Sequence, residues 1–179
     1  YDNLGTPISF DLSEAPCVAK RCRAFDQAFG PLSSAVLRRR NVDQNDKFMF
    51  VESMPVAALM YNAHIMGPAT QSIMQKLQTK ATKAYRKCLG QGWSVNAVSQ
   101  ATSEEVTFNS GQVPIFLRIA ERRLKFVGRC FAHACIALQN ILAHLISSNI
   151  GYGALVLSDF QTLFAHASAF ASLGEPEAN

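Results

Sequence analysis

Between Arg129 and Glu175 the only Asp, Glu, Lys or Arg side chain is Asp159. Over all 179 residues the charged share is 17%, below the roughly 25% of an average soluble chain, so part of the surface is expected to be neutral. Strand-like alternation is missing as well, which excludes sheet-based folds. The longest apolar stretch, Cys130 to Ile146, is interrupted by His133, Gln139, Asn140 and His144. A bilayer span needs roughly 20 predominantly apolar residues, so no transmembrane segment is expected. No apolar run opens the sequence and no Asn-x-Ser/Thr site occurs; a signal peptide, if one was made, is expected to have been removed.

The parts of an active site are also lacking. There is no Gly-x-Ser-x-Gly elbow, no glycine loop to cradle phosphates and no pair of carboxylates on an apolar face. The acids concentrate at Asp43, Asp46, Glu104, Glu105, Glu175 and Glu177, in loops or the tail. Asp43-Gln44-Asn45 lacks the glycine and the closing glutamate of a calcium loop. His64, His133, His144 and His166 include no pair four apart, and His133 and His144, on one helix face, would stand about 16 Å apart. The expectation is a non-enzymatic protein with no cofactor and no metal site.

What is present reads as helix. Hydrophobic residues make up 49% and the formal charge is +4, which suits one all-α domain over 1–179, a bundle of about six mostly antiparallel helices. Residues 1–12 read as an extended arm, 91–112 as a long loop and 174–179 as a tail. Ser13 would cap a first helix that ends at Gly30-Pro31. A short helix closing on Arg38-Arg39-Arg40 follows, then a polar loop over 41–47. Ser53 and Pro55 mark a helix to Met66, ended by Gly67-Pro68. In 69–89 an apolar stripe of Ile73, Leu77, Ala81, Ala84 and Cys88 opposes a lysine face, with Gly90 as the cap. Trp93, Val95, Val106 and Phe108 would tack the long loop to the core. Pro114 opens a helix through Phe126, with Gly128 as a possible kink. The run 130–148, apolar on most faces, reads as a helix enclosed by others, and 154–173 as the last helix.

Cys17-x-Ala-x-x-Cys22-x-Ala24 and Cys130-x-Ala-x-x-Cys135-x-Ala137 are one pattern used twice. Helical residues five apart point about 140° from each other, so neither pair should bridge internally, and zinc ligands usually sit two to four residues apart on turns. With the two motif helices antiparallel, Cys17 would meet Cys135, or Cys22 would meet Cys130. Such a staple closes a long loop and contributes about 4–5 kcal/mol in the chain-entropy picture. It would place the protein outside the cell. Cys88 is then the odd thiol, free or available for an intermolecular link. The other reading of all five is buried thiols.

Two basic ladders share one spacing: Lys76, Lys80, Lys83 and Lys87, then Arg118, Arg122, Lys125 and Arg129. Each is either the solvated side of an amphipathic helix or a row facing phosphates. No aromatics are interleaved to stack on bases. The neutral C-terminal third offers self-association, making a homo-oligomer, or a cavity for an apolar small molecule, with Ile141, Leu145, Phe160, Leu163, Phe164 and Phe170 as interface or lining residues. The small residues Ala165, Ala167, Ala169 and Ala171 permit close helix approach, which favours packing.

Cys130 to Gly174 resembles the C-terminal assembly domain of spider silk proteins. Both have a cysteine-led apolar helix, a Ser-Ser-x-Ile-Gly turn, present as Ser147-Ser148-Asn149-Ile150-Gly151, then Tyr152-Gly153-Ala154 and a closing helix bearing Ala, Ser and Gln. The likeness covers a quarter of the chain; the basic helix before it and the charged N-terminal half depart from that pattern. The resemblance implies self-assembly. The expected function is therefore self-assembly or structural interaction through the neutral C-terminal surface. A carrier of a hydrophobic ligand is the alternative, and a nucleocapsid or coat-type subunit binding RNA through the basic ladders is the third reading.

Overall fold

Cys17, Val18, Arg21, Phe25, Phe29 and Leu32 recur at three- and four-residue intervals, and together they form the buried face of helix α1, Ala15–Leu32. The helix does not stop at Gly30-Pro31. It continues into a wider π turn, Ser33–Leu37. Pro31 has no N–H and its ring needs clearance from the preceding turn, and the Ser34 hydroxyl donates to the carbonyls of Pro31 and Gly30, at 3.0 and 3.4 Å. With Leu32, Ser33 and Leu37 all buried, packing holds the widened turn together.

Those coordinates come from a computed structural model, which describes residues 2–3, 6–7, 15–63, 71–90, 102–149 and 151–173, with side chains described from Ala15 to Ser168. The Ser13 cap, the Gly67-Pro68 end, Trp93, Val95 and the tail at 174–179 lie outside the described residues. Ahead of α1, two-residue strands β1, Asp2–Asn3, and β2, Thr6–Pro7, pair antiparallel. All other regular structure among the described residues is helical. The contacts gather into two units, Tyr1–Asn62 with Ala69–Ile115 and Ala63–Pro68 with Phe116–Asn179.

In the first unit the supposed loop before Ser53 is already helix. Asp43, with extended backbone, accepts a hydrogen bond from the Asn45 N–H at 2.8 Å and caps α2, Gln44–Val51. The run passes through a second π turn at Glu52–Val56, which contains Pro55, into α3, Ala57–Leu59. Ser53 and Pro55 thus lie inside a helical run and do not open one. Helix α4, Gln71–Cys88, buries Leu77, Ala81, Ala84 and Cys88 as the stripe predicts, together with Tyr85 and Thr82. Gly90, at φ 72°, ends the run as expected of a left-handed cap.

The stretch read as a loop to Gln112 contains a further helix, α5, Ser103–Asn109. Thr102 and Glu105 exchange bonds, 3.2 Å from the Glu105 N–H and 2.6 Å from the Thr102 N–H, and make a capping box. Val106 is buried, but Phe108 is 85% exposed and anchors nothing. Gln78 of α4 holds this region: its amide donates to Thr107 at 3.3 Å and its carbonyl oxygen accepts from the Ile115 N–H at 2.8 Å.

In the second unit α6, Ile115–His133, is one helix running straight through Gly128. A Cβ on Gly128 would meet nothing within 4 Å. Gly128→Ala is therefore expected to raise stability by about 0.5–1 kcal/mol through helix propensity alone, measured as a shift of the urea midpoint. The helix expected to run from Cys130 to Ser148 is instead broken at Ala134. Cys135 is extended (φ −63°, ψ 152°), and α7 is Ile136–Ser147. Gln139 explains the break, since its amide donates to the carbonyls of Phe131 and Ala134 at 2.9 and 3.0 Å, closing the end of α6. Nor is α7 enclosed, since Leu142 is its one buried residue. A turn with Asn149 and Gly151 both at φ 53° leads into α8, Tyr152–Leu173, which packs on α7.

Candidate functional site

The outward side of α7 and α8 carries no Asp, Glu, Lys or Arg and exposes several large apolar side chains among a few polar ones. Leu138, Ile141 and Leu145 follow one another at i, i+3, i+7 on α7, and Phe160, Leu163, Phe164 and Ala167 at i, i+3, i+4, i+7 on α8. Ile136 is 74%, Ile141 57%, Phe160 60% and Phe164 67% exposed, while Leu145 and Leu163 are half-buried. The Phe170 side chain lies outside the described residues. Monomeric proteins seldom leave so many large apolar side chains in water on adjoining elements. Among the described residues no single helix is long and apolar enough to cross a membrane.

Asp159, the one charge of this neutral segment, points inward. Its carboxylate accepts a hydrogen bond from the Arg123 guanidinium, and Arg123 is 1% exposed. Burial pushes the Asp159 carboxyl above its ordinary value, and Arg123 opposes the shift without cancelling it. Burial likewise pushes the Tyr152 phenol up to about 12; Arg123 pulls it down, while Asp159 and Cys130 add to the rise. Phe116 and His166 meet at 5.7 Å between ring centroids, a second tie between α6 and α8. The sequence reading missed Arg123. The available signal was Asp159 itself, a lone acid in an apolar helix that needs a cation.

The lysine ladder of α4 lies along α1. Lys80 bonds both oxygens of Asp26, at 2.6 and 2.7 Å, and its ammonium is 6.0 Å from the Phe25 centroid. Lys83 and Lys87 stand 5.8 and 5.1 Å from the Phe29 centroid, and Lys87 donates to the Ser33 hydroxyl at 2.6 Å. Lys76 is exposed at the other end of the ladder. Stems packed on apolar surface with the heads on ring faces account for this geometry. On α6, Arg122, Lys125 and Arg129 are exposed and Arg118 is half-buried, with Lys125 paired to Glu121 at 2.5 Å.

The staples expected between the two cysteine motifs are absent. All five thiols are free and none is within bonding distance of another. Within its own unit α1 packs on its π turn, on the 52–59 run and on α4, which encloses Cys17 and half-buries Cys22. Burial pushes the Cys22 thiol up, with Lys80 countering, Asp26 adding and Lys76 countering. The second motif is not even one helix, because Cys130 ends in α6 and Cys135 precedes α7. Cys88 is free and buried, and its thiol is pushed up to about 12 by that burial. The most accessible thiol is that of Cys135. Among the described residues no three His, Cys, Asp or Glu side chains gather into a possible metal site.

Comparison with protein-family models, with curated proteins and with solved structures gave no match to this chain.

Proposed function

We propose that the chain is a self-assembling structural protein whose neutral α7–α8 surface packs on a second copy of itself. The observation that carries this is the exposure of Ile136, Ile141, Phe160 and Phe164 on two helices whose only charge, Asp159, is turned inward. A surface without charge needs no complementary charge opposite it, so a second copy suits it as well as any other partner. Phe160 and Phe164 face outward, which supports assembly over carriage, because a carrier would fold its large aromatics around an enclosed cavity. The small exposed residues Ala165 and Ala167 let a second helix approach closely.

Sedimentation velocity over a concentration series is the direct test. The parent is expected to form a dimer or larger species at micromolar concentration, and Phe160→Glu with Phe164→Glu to stay monomeric with unchanged helicity. A parent that stays monomeric at high micromolar concentration overturns the proposal.

A further inference from the structure

We propose that the α7–α8 hairpin is exchanged between two copies of the chain, so that Asp159 of each copy pairs with Arg123 of the other. The inference rests on the self-assembly proposed above and names how the second copy is held. Helix α8 lies antiparallel to α6 in one register. Phe116 meets His166, Arg123 meets Asp159, and Cys130 is within electrostatic reach of Tyr152, so each step of seven residues forward on α6 is seven back on α8. Such a seam is the same whether its two helices belong to one copy or to two.

The connection is what differs. Between α6 and α7 only Ala134 and Cys135 leave the helix, and His133-Ala134-Cys135-Ile136 contains neither the glycine nor the proline that usually ends one. Cys135 makes no side-chain cap bond to α7, and alanine is the strongest helix former. The sequence pattern reads Cys130 to Ser148 as one helix, and the bend departs from that preference. What holds the bend is Gln139, whose amide takes the Phe131 and Ala134 carbonyls at 2.9 and 3.0 Å. A straight helix offers those carbonyls the backbone N–H groups of Cys135 and Leu138 instead. Only Leu142 of α7 is buried, so opening the bend uncovers little, while α7 and α8 stay packed on each other. Straightened, residues 115–147 form one helix about 50 Å long, which carries the hairpin clear of its own α6 and within reach of a second copy's. The α6–α8 seam is then remade between copies, and the exposed apolar side chains of the hairpin remain available for the contact proposed above.

The test is complementation between two full-length variants, Arg123→Met and Asp159→Leu. In an unexchanged fold each variant keeps its broken pair whatever it is mixed with. In an exchanged heterodimer one site joins Arg123 to Asp159 and the other joins the two apolar replacements, so both are repaired. After refolding together from urea, the mixture is expected to regain the parent's urea midpoint, and native mass spectrometry to show heterodimer well above the half that random pairing gives. Ile136→Pro fits the bend, because proline suits the first position of α7 and Cys135 already has the extended backbone required before it, but it forbids the straight helix. It is expected to fold as a monomer, with helicity checked by circular dichroism, whereas Ile136→Ala, which removes the same apolar side chain, still dimerises. A parent that sediments as a monomer overturns the assembly reading and this one together. A dimeric parent whose two variants gain nothing on mixing overturns the exchange alone, and so does a folded Ile136→Pro that dimerises as the parent does.

Discussion

Replacing Arg123 by methionine is expected to lower the free energy of unfolding by about 3–5 kcal/mol, the usual cost of leaving one member of a buried ion pair alone. The pair lies between α6 and α8, with the Arg123 side chain 1% and the Asp159 side chain 14% exposed. Asp159→Leu is expected to cost as much, because a guanidinium cannot shed its proton to escape burial. The double variant, Arg123→Met with Asp159→Leu, should recover the loss and match or exceed the parent, by up to about 4 kcal/mol. The direction follows from the carboxyl: burial raises its pKa by more than the guanidinium lowers it, so the ionised Asp159 fares worse in the fold than in water. The same imbalance gives a pH dependence. Folded Asp159 holds its proton more tightly than the unfolded chain, whose carboxyl titrates near pH 3.9 by the reference value. Its contribution is most favourable below that pH and is lost as pH rises through the higher folded value. Urea midpoints from pH 3 to 7 check both points. The parent-minus-double difference should fall with rising pH, and a double variant as unstable as either single would refute the account.

Much of the fold was legible because some segments state their pattern twice. In α4 the apolar stripe and the lysine ladder define opposite faces, and Gly90 marks the end; burial of Leu77, Ala81, Ala84 and Cys88 follows. The misreadings come from residues with two meanings. Proline opens a helix, but next to or within a π turn it also sits inside a helical run, as Pro31 does just before the first such turn and Pro55 does within the second. Only tertiary burial of Leu37, Val51, Val56 and Leu59 decides between these uses. Thr102-x-x-Glu105 was a readable capping box within a stretch dominated by Gly, Ser and Asn. Gln139 looked like a polar interruption of one helix, whereas it caps the helix before its own. The cysteine motifs misled because identity of spacing was taken for identity of conformation. The outward apolar residues Ile141, Phe160 and Phe164 were legible as a set, but whether they turn toward a core or toward solvent depends on what covers α7, which periodicity does not encode.

Gly153→Ala is expected to be the most damaging single-methyl change in the C-terminal unit. A Cβ at this position would lie 2.0 Å from the Leu145 carbonyl oxygen and 2.6 Å from the Ile146 nitrogen. Both are main-chain atoms, so no side-chain rotation relieves the clash and α7 and α8 must move apart. Alanine would gain about 1 kcal/mol in helix propensity, but forcing atoms into packed structure costs typically 1–3 kcal/mol and more where backbone must shift. The net loss is expected near 2 kcal/mol or above. Gly151→Ala separates packing from backbone strain: its Cβ would meet nothing within 4 Å, and only φ 53° opposes it, at roughly 1–2 kcal/mol. The two variants should also differ in assembly. Gly153 fixes how closely the start of α8 meets the end of α7 at Leu145 and Ile146, and so the angle at which the two apolar helices are presented, whereas Gly151 only shapes the turn. Sedimentation of folded Gly153→Ala is therefore expected to show weakened self-association, with Gly151→Ala close to the parent. Equal association by both would mean that the apolar surface does not depend on the close approach of its two helices.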